Sequence, residues 1–432
     1  MSDRINNVGS EGESISEIAM TRPVIMGLLG VLLNAGFSLW LNQQYGIKHA
    51  LVWWVATMLG FTFLRSGYGF TRAWRNLVVG HSTVGVRSHL LWVALASCLM
   101  FPVFHLGWFD AKPFDIMRPV GIMMASGAFI FAIGMQLAGS CTSGSMYRAG
   151  SGQFKLWLSI LGIVIGAFFA ALHYGYWSEL PTYFVYSYQR EFSWPIAIMI
   201  QMGIVIGLWL ILYKLEKRWN GKVLSIFDND NERCAMSTLA KRKDIKENSV
   251  SNWKCCLFGS WSLGAGSVVL AILSFLALIL LNRPWVISLA FPFWSTKLTS
   301  LFGMEFGFEF WDYWGISQNE SMLQMGLFED VTSLMNIAFI FGATWATASA
   351  IKQFSNKSNS PQKLSIKQLL YLPSITFIGG LLMGYGAVIG LGCNIGGFIA
   401  AVLSGSVHGW VWVLAALIGT VVGTGLRKLL KV

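Results

Sequence analysis

Apolar residues fall in ten blocks separated by polar intervals, near 24–43, 49–64, 89–108, 119–139, 154–176, 194–213, 261–282, 331–351, 369–390 and 409–427. Blocks of this length suit helices that cross a hydrocarbon core about 30 Å thick, so the pattern predicts ten transmembrane helices. The intervals differ in kind. Residues 1–20 are polar and acidic, an N-terminal tail without a basic-then-apolar leader. Residues 214–254 have no apolar periodicity and read as a hydrophilic linker between a first membrane half, 21–213, and a second, 255–432. Residues 284–330 are rich in aromatics and interrupted by Pro284 and Pro292, the pattern of an interfacial or re-entrant cap instead of a span.

Two blocks end unlike the others. The fourth runs into Ala138-Gly139-Ser140-Cys141-Thr142-Ser143-Gly144 and the ninth into Gly390-Leu391-Gly392-Cys393-Asn394-Ile395-Gly396-Gly397. Laid on each other they match at Gly134/Gly386, Cys141/Cys393 and Gly144/Gly396. After a five-residue difference in loop length, Gly152, Gly162 and Gly166 fall on Gly409, Gly419 and Gly423. This predicts two copies of one unit, each with one thiol. With ten spans, the fourth and ninth cross in opposite senses, which makes the copies an inverted repeat. Glycine-interrupted segments in such repeats break into half-helices whose positive N-terminal ends meet an anion near the bilayer midplane. Broken backbone at that depth must be covered by protein or line a water-filled cavity. Thr142 and Asn394 have the side chains of N-caps for the second half-helices. The predicted fold is an all-α polytopic membrane protein of about ten transmembrane helices, in two inverted repeats with re-entrant or broken helices.

Composition agrees: the chain is 55% hydrophobic and 12% charged, where a soluble domain is about a quarter charged. The net charge of +11 comes largely from Lys and Arg on alternate loops. These hold Arg65, Arg72, Arg75 and Arg87; the 214–254 linker; Lys352, Lys357, Lys363 and Lys367; and Arg427, Lys428 and Lys431. The opposing stretch sets Arg283 and Lys297 against Glu305, Glu309, Asp312, Glu320, Glu329 and Asp330. By the positive-inside rule the basic loops and both termini are expected in the cytoplasm, on a multi-pass protein of a bacterial inner membrane. The positive charge then belongs to the lipid bilayer, and there is no soluble basic domain for a nucleic acid to bind.

Six cysteines without paired spacing suggest neither a disulfide framework nor a zinc site. Cys98 reads as packing inside a span and Cys234 as part of the linker. Cys255 and Cys256 are small fillers at a span edge or vicinal thiols that receive cargo or metal. Cys141 and Cys393 stand out by their equivalent placement at the two breaks. A neutral thiol is a weak donor and a polarisable acceptor. It is a poor partner for phosphate or nitrate and suits an anion carrying soft sulfur or selenium. Thiols kept protonated in a low-dielectric path favour hydrogen-bonded passage over a redox relay. The candidate substrate-binding residues are therefore Cys141 and Cys393, the glycines Gly134, Gly144, Gly386, Gly392 and Gly396, and the polar Gln136, Ser140, Thr142 and Asn394. The hydroxyls and Asn394 donate to an oxyanion or cap the breaks, while Gln136 lines the path or bonds a neighbouring helix.

Arg65, Arg72 and Arg75, with Phe70 and Trp74 between them, form either an interfacial helix with snorkelling arginines or a basic mouth for an anion. Arg148 is an anchor or an anion ligand, and His408 is the histidine to test. Glu329 and Asp330 are the acidic candidates for cation coupling. No P-loop of the form GxxxxGKS/T is present, and neither a cofactor nor a metal is expected. The rival classes to a non-enzymatic transporter are a membrane oxidoreductase, which would need paired histidines or a C-x-x-C-H, and an accessory membrane subunit, which would lack a continuous polar path.

In these residues the sequence resembles the YeeE/YedE family of sulfur-transport membrane proteins. GMQLAGSCTSGSMYRAGSGQ is similar to one cysteine repeat of that family and GYGAVIGLGCNIGGFIAAVLSGSVHGWVW to the other, and the likeness extends to RSGYGFTRAWRN and the 296–350 region. The resemblance implies import of thiosulfate along a narrow path of thiols, with Cys141 and Cys393 as the relay. It also implies a small cytoplasmic sulfur carrier of the TusA type as partner. A selenium compound is the alternative cargo, since the YedE branch is associated with selenium metabolism. The sequence departs from the family at Gly69, where relatives carry a third cysteine; the departure implies a relay of two stations or a different substrate.

Overall fold

The computed structural model describes residues 3–107, 115–227, 259–304, 306–350 and 366–432. Cys234, Cys255 and Cys256, with most of the expected linker, lie outside these residues. Among the described residues, ten helices are long and apolar enough to cross a membrane, in agreement with the ten apolar blocks.

The first element, α1 (Asp3–Tyr45), carries the polar N-terminal stretch into one continuous helix where a tail was expected. No residue leaves the helical conformation before Gly46, whose φ of 88° ends it. A span broken at 66–69 follows, as α2 (Ile47–Arg65) and α3 (Phe70–Val78). This break was not expected, because its small residues are only Ser66, Gly67 and Gly69. Then come α4 (Val84–Leu106), the expected broken span α5 (Ile122–Ala138) and α6 (Thr142–Gly150), α7 (Lys155–Leu172) and α8 (Trp194–Asn220). The last turns of α8 extend past the expected start of the linker. Buried Glu216 holds them, accepting hydrogen bonds from Arg87 Nη2 at 2.6 Å and Thr83 Oγ1 at 2.7 Å on the α4 side.

The second part of the chain forms α9 (Leu263–Leu281), α10 (Ala290–Leu301), α11 (Val331–Ala348) and α12 (Ile366–Ile389). A π-helical stretch, α13 (Asn394–Ala400), continues into Ala401–Leu403, and α14 (Val407–Leu429) closes the chain. At 12 residues, α10 is too short to cross, as the proline-interrupted pattern implied. Two short strands, β1 (Val120–Gly121) and β2 (Thr182–Phe184), pair antiparallel with Val120 opposite Phe184.

Lipid offers no hydrophobic gradient between helices, so association rests on close backbone approach at small residues. The centre of the molecule is built this way. Helices α5 and α12 cross antiparallel: a methyl on Gly134 would stand 2.6 Å from the Gly379 carbonyl oxygen, and one on Gly386 2.7 Å from that of Gly127. Gly380 and Gly384 bring α12 equally close to Ser159 and Ile163 of α7, and Gly419 and Gly423 bring α14 onto α5. The same device joins α2 to α11, through Gly60 and Gly342. Around this core α9 packs on α4 and α2, while α1 and α8 lie at the periphery with most of their surfaces outward. Cys98 sits on the outward side of α4 and not in the packed interior, because its helix face points away from α9.

Candidate functional site

Both breaks expected from the sequence are present, and they share a geometry. Helix α5 ends at Gly139, a left-handed residue (φ 68°) whose N–H donates to the Gln136 carbonyl at 3.2 Å. The chain then straightens through Cys141 (φ −83°, ψ −179°) and re-enters a helix at Thr142. At the second break Leu391 takes φ 58° and Gly392 φ 152° before Cys393 (φ −89°, ψ −170°). A leucine in the left-handed region costs about 1–2 kcal/mol, a strain held at the candidate site itself. At each break the cysteine carbonyl accepts the N–H four residues on, from Ser145 at 2.7 Å and Gly397 at 2.6 Å.

The caps differ from expectation. Thr142 and Asn394 do not cap; Cys141 and Cys393 occupy the N-cap positions, and the two polar residues are the first helical ones. The Cys141 sulfur accepts the Gly144 N–H at 3.3 Å and lies 3.3 Å from Ser143 Oγ. The Cys393 thiol faces the N–H groups of Ile395 and Gly396 and the Ser288 hydroxyl. Sulfur is a weak acceptor, so these positive helix ends are only lightly neutralised. Each thiol is 1% exposed. A side chain at Gly144 would displace both Ser140 Oγ and the Cys141 sulfur.

Beside the thiols lie buried polar groups without partners among the described residues: Ser140 Oγ, Thr142 Oγ1, and both Oδ1 and Nδ2 of Asn394. An unsatisfied buried polar group costs about 1–3 kcal/mol. The expected path residue Gln136 donates from Nε2 to the Thr71 carbonyl at 3.4 Å and leaves Oε1 unpaired. Gly134 and Gly386 sit in the α5–α12 crossing and line neither of the two cavities described next.

A cavity opens at each end of this centre. The smaller, about 150 Å³, is lined by Arg118, Arg283, Tyr174, Tyr313, Ser288, Gly392 and Gly396 and borders the Cys393 break. Its Arg118 segment is fixed by the Ile116 N–H donating to Ser404 Oγ at 2.9 Å, by strand β1, and by the Asp115–Arg190 ion pair. Burial pushes the Tyr174 and Tyr313 phenols up, so both stay protonated and able to donate. The larger, about 460 Å³, has Cys141, Ser140, Gly144, Gly139, Gly69 and Tyr147 at its floor and Arg72, Arg75, Arg148, Lys155 and Arg427 on its walls. Leu372 of α12 lines the larger cavity and Ala387 the smaller, about 22 Å apart along the helix axis at 1.5 Å per residue.

The model of the sulphur-transport family matches residues 65–422, which takes in both breaks, the smaller cavity and all of the larger one's lining except Leu64, Arg427 and Val432. The chain belongs to the sulphur-transport family. Among relatives, the thiosulfate transporter TsuA of Escherichia coli is 21% identical over 373 residues, covering 84% of this chain and 90% of that protein. TsuA of Spirochaeta thermophila is 25% identical over 376 residues, 83% of this chain and 94% of that protein. The probable transporter YedE of Escherichia coli is 31% identical over a shorter stretch of 157 residues, 36% of this chain and 35% of that protein.

Within this sulphur-transport family member the other candidates fall into place. Arg148 donates to the Gly139 carbonyl at 3.0 Å and Arg427 to that of Gln136 at 3.0 Å, so both close the C-terminal end of α5. His408 is buried, with Nδ1 2.8 Å from Ser406 Oγ and Nε2 unpaired. Asp330 caps α11 through the Thr332 and Ser333 amides, and Glu329 accepts the Gly326 N–H at 3.0 Å; both carboxylates serve local turns. A side chain at Gly69 would meet only the Tyr147 hydroxyl, at 3.5 Å, so the position stands open on the larger cavity. Sequence reasoning missed Arg118, Arg283, Tyr147 and Ser288, which no local pattern unites because they come from four separate parts of the chain.

Proposed function

We propose that the protein imports a soft inorganic sulfur anion, thiosulfate, from the smaller cavity past Cys393 and Cys141 into the larger one. The observation that carries this reading is the group of unpaired, buried Ser140, Thr142 and Asn394 side chains beside two thiols at helix N-termini. These supply hydrogen-bond donors for oxygens and polarisable sulfur for sulfur, in a dry place lightly charged by two helix ends. The thiosulfate transporters to which the chain is similar support the choice of cargo.

The loops rich in Lys and Arg support an orientation in a bacterial inner membrane with both termini and the larger cavity facing the cytoplasm. Matched glycines, matched cysteine backbones and the antiparallel α5–α12 crossing support two inverted halves joined by the 214–254 linker. Moving a negative charge inward costs about 2.3 kcal/mol per 100 mV, and a dianion about twice that. Import is then drawn by consumption inside, where a TusA-like sulfur carrier is the receiver. Ser288 and Gly396 position the Cys393 thiol, and Gly144 and Ser143 that of Cys141.

The test is uptake of labelled thiosulfate by proteoliposomes containing the protein alone, beside Cys141→Ala and Cys393→Ala. The expected result is uptake that sulfate fails to block and that either substitution reduces at least tenfold. Unchanged uptake in both variants overturns the thiol path. A folded protein that takes up selenite and not thiosulfate overturns the cargo.

A further inference from the structure

The larger cavity holds more positive charge than a thiol path requires, and its cations are not equivalent. Arg148 and Arg427 are engaged with the carbonyls that end α5, and Arg148 donates further to Gln153 Oε1 at 2.8 Å. Arg72 and Arg75 make no such bonds among the described residues. They stand one turn apart on α3, and Arg75 has Arg72 and Arg148 as charged neighbours. Among the described residues no Asp or Glu side chain lines the cavity, and Val432, which does, forms no ion pair with Arg72 or Arg75. The ion pairs found among the described residues, Arg87–Glu216 and Arg190–Asp115, lie elsewhere. Two residues that line the same space, Thr71 and Ser140, have buried hydroxyls without partners among the described residues. Guanidinium groups held close together without counter-charge repel each other, and an anion between them removes that repulsion.

The chemistry of this wall differs from that of the floor. A guanidinium presents a rigid fork of N–H donors that matches the oxygens of a tetrahedral oxyanion, whereas the Cys141 thiol below is a soft, weakly donating group. One cavity thus offers a soft floor and a hard wall. We propose that Arg72 and Arg75, with Thr71, form a binding site for tetrahedral oxyanions that is separate from the thiols. On the transport reading given above, it receives the oxygen end of the anion while the sulfur end is still at Cys141. The cargo then leaves oxygen-first, and the arginines hold its oxygen end in the larger cavity while the Cys141 thiol holds its sulfur end. The site takes a free oxyanion in preference to a lipid phosphate, because Ser140 and Cys141 are part of the same enclosure, at the depth of the helix break.

The test uses the full-length protein in neutral detergent with sulfate as the probe, at constant ionic strength set with chloride. Sulfate binding is measured by calorimetry for wild type, Arg72→Gln/Arg75→Gln and Cys141→Ala. Loss of two charge-assisted contacts corresponds to at least about a tenfold weakening. Sulfate affinity is expected to fall by that factor in the arginine pair variant and to hold in Cys141→Ala, while thiosulfate affinity falls in both. Arg72→Lys/Arg75→Lys, which keeps the charge, controls for folding and should bind sulfate more tightly than the glutamine pair. Equal sulfate affinity in wild type and the glutamine pair, or a response that chloride reproduces, overturns the site. Sulfate binding abolished in nanodiscs of phosphatidylglycerol but kept in phosphatidylcholine assigns the arginines to lipid and overturns it as well. Failure of thiosulfate uptake with sulfate binding intact overturns the transport reading alone.

Discussion

Asn394 brings an amide into a buried position and bonds neither end of it. Stability alone would select an apolar residue there, so the expected effect of Asn394→Leu is a gain of about 1 kcal/mol with at least a tenfold loss of thiosulfate uptake. Thermal unfolding in detergent and vesicle uptake check the two halves; a loss of stability would mean that the amide has a structural partner. The positions of Cys141 and Cys393 were legible in the sequence because small residues, a thiol and an apolar helix in that order have few other uses. Their role as N-caps was not, since sulfur accepts hydrogen bonds weakly and Thr142 and Asn394 are the better capping residues by chemistry. What displaced them is backbone geometry: the extended conformation that precedes a helix falls on the cysteine at both breaks. The arginines of the smaller cavity were illegible for a different reason, since Arg118 and Arg283 meet only through the packing of distant segments.

Among the elements, the crossing of α5 and α12 is the most demanding contact. Any Cβ at Gly386 would lie 2.5 Å from the Phe131 amide nitrogen, and backbone has little room to yield. Gly386→Val is expected to lower stability by about 3 kcal/mol or more. Gly36→Val is the control, at an outward-facing glycine of α1 with nothing within 4 Å, and should stay within about 0.5 kcal/mol of wild type. Equal thermal stability of the two variants in detergent would show that the crossing is loose. The ten helices were readable because membrane spans announce themselves by length and apolarity. The break between α2 and α3 was missed since one left-handed glycine, Gly67 (φ 59°), suffices to turn the chain. The π-helical turn of α13 leaves no mark in a sequence either, because residues of any helical preference fit it. Its presence at only one of the two breaks is where their geometries part company.

At the scale of the whole molecule, charge is distributed unevenly between the two cavities. The smaller joins Arg118 and Arg283 with Asp115 in its lining, whereas the larger has five cations and no acidic side chain. If the larger cavity faces the cytoplasm, a membrane-impermeant maleimide should label Arg72→Cys in inverted vesicles and leave it untouched in intact cells. Labelling from outside the cell would reverse the orientation. The backbone contacts of α5, α7, α12 and α14 bear on how such a protein can work at all. Carriers that rock between two states need faces that slide, and here carbonyl meets glycine at Gly127, Gly134, Gly379, Gly380 and Gly384. If the protein keeps these contacts through its cycle, the parts left to move are the side chains and the short broken segments around the thiols. A fixed frame has no ratchet. If thiosulfate passes through such a frame, its flow follows supply and demand in either direction, so a cell that stops using its sulfur would lose what it had gathered, and its rate of use becomes the setting of the tap.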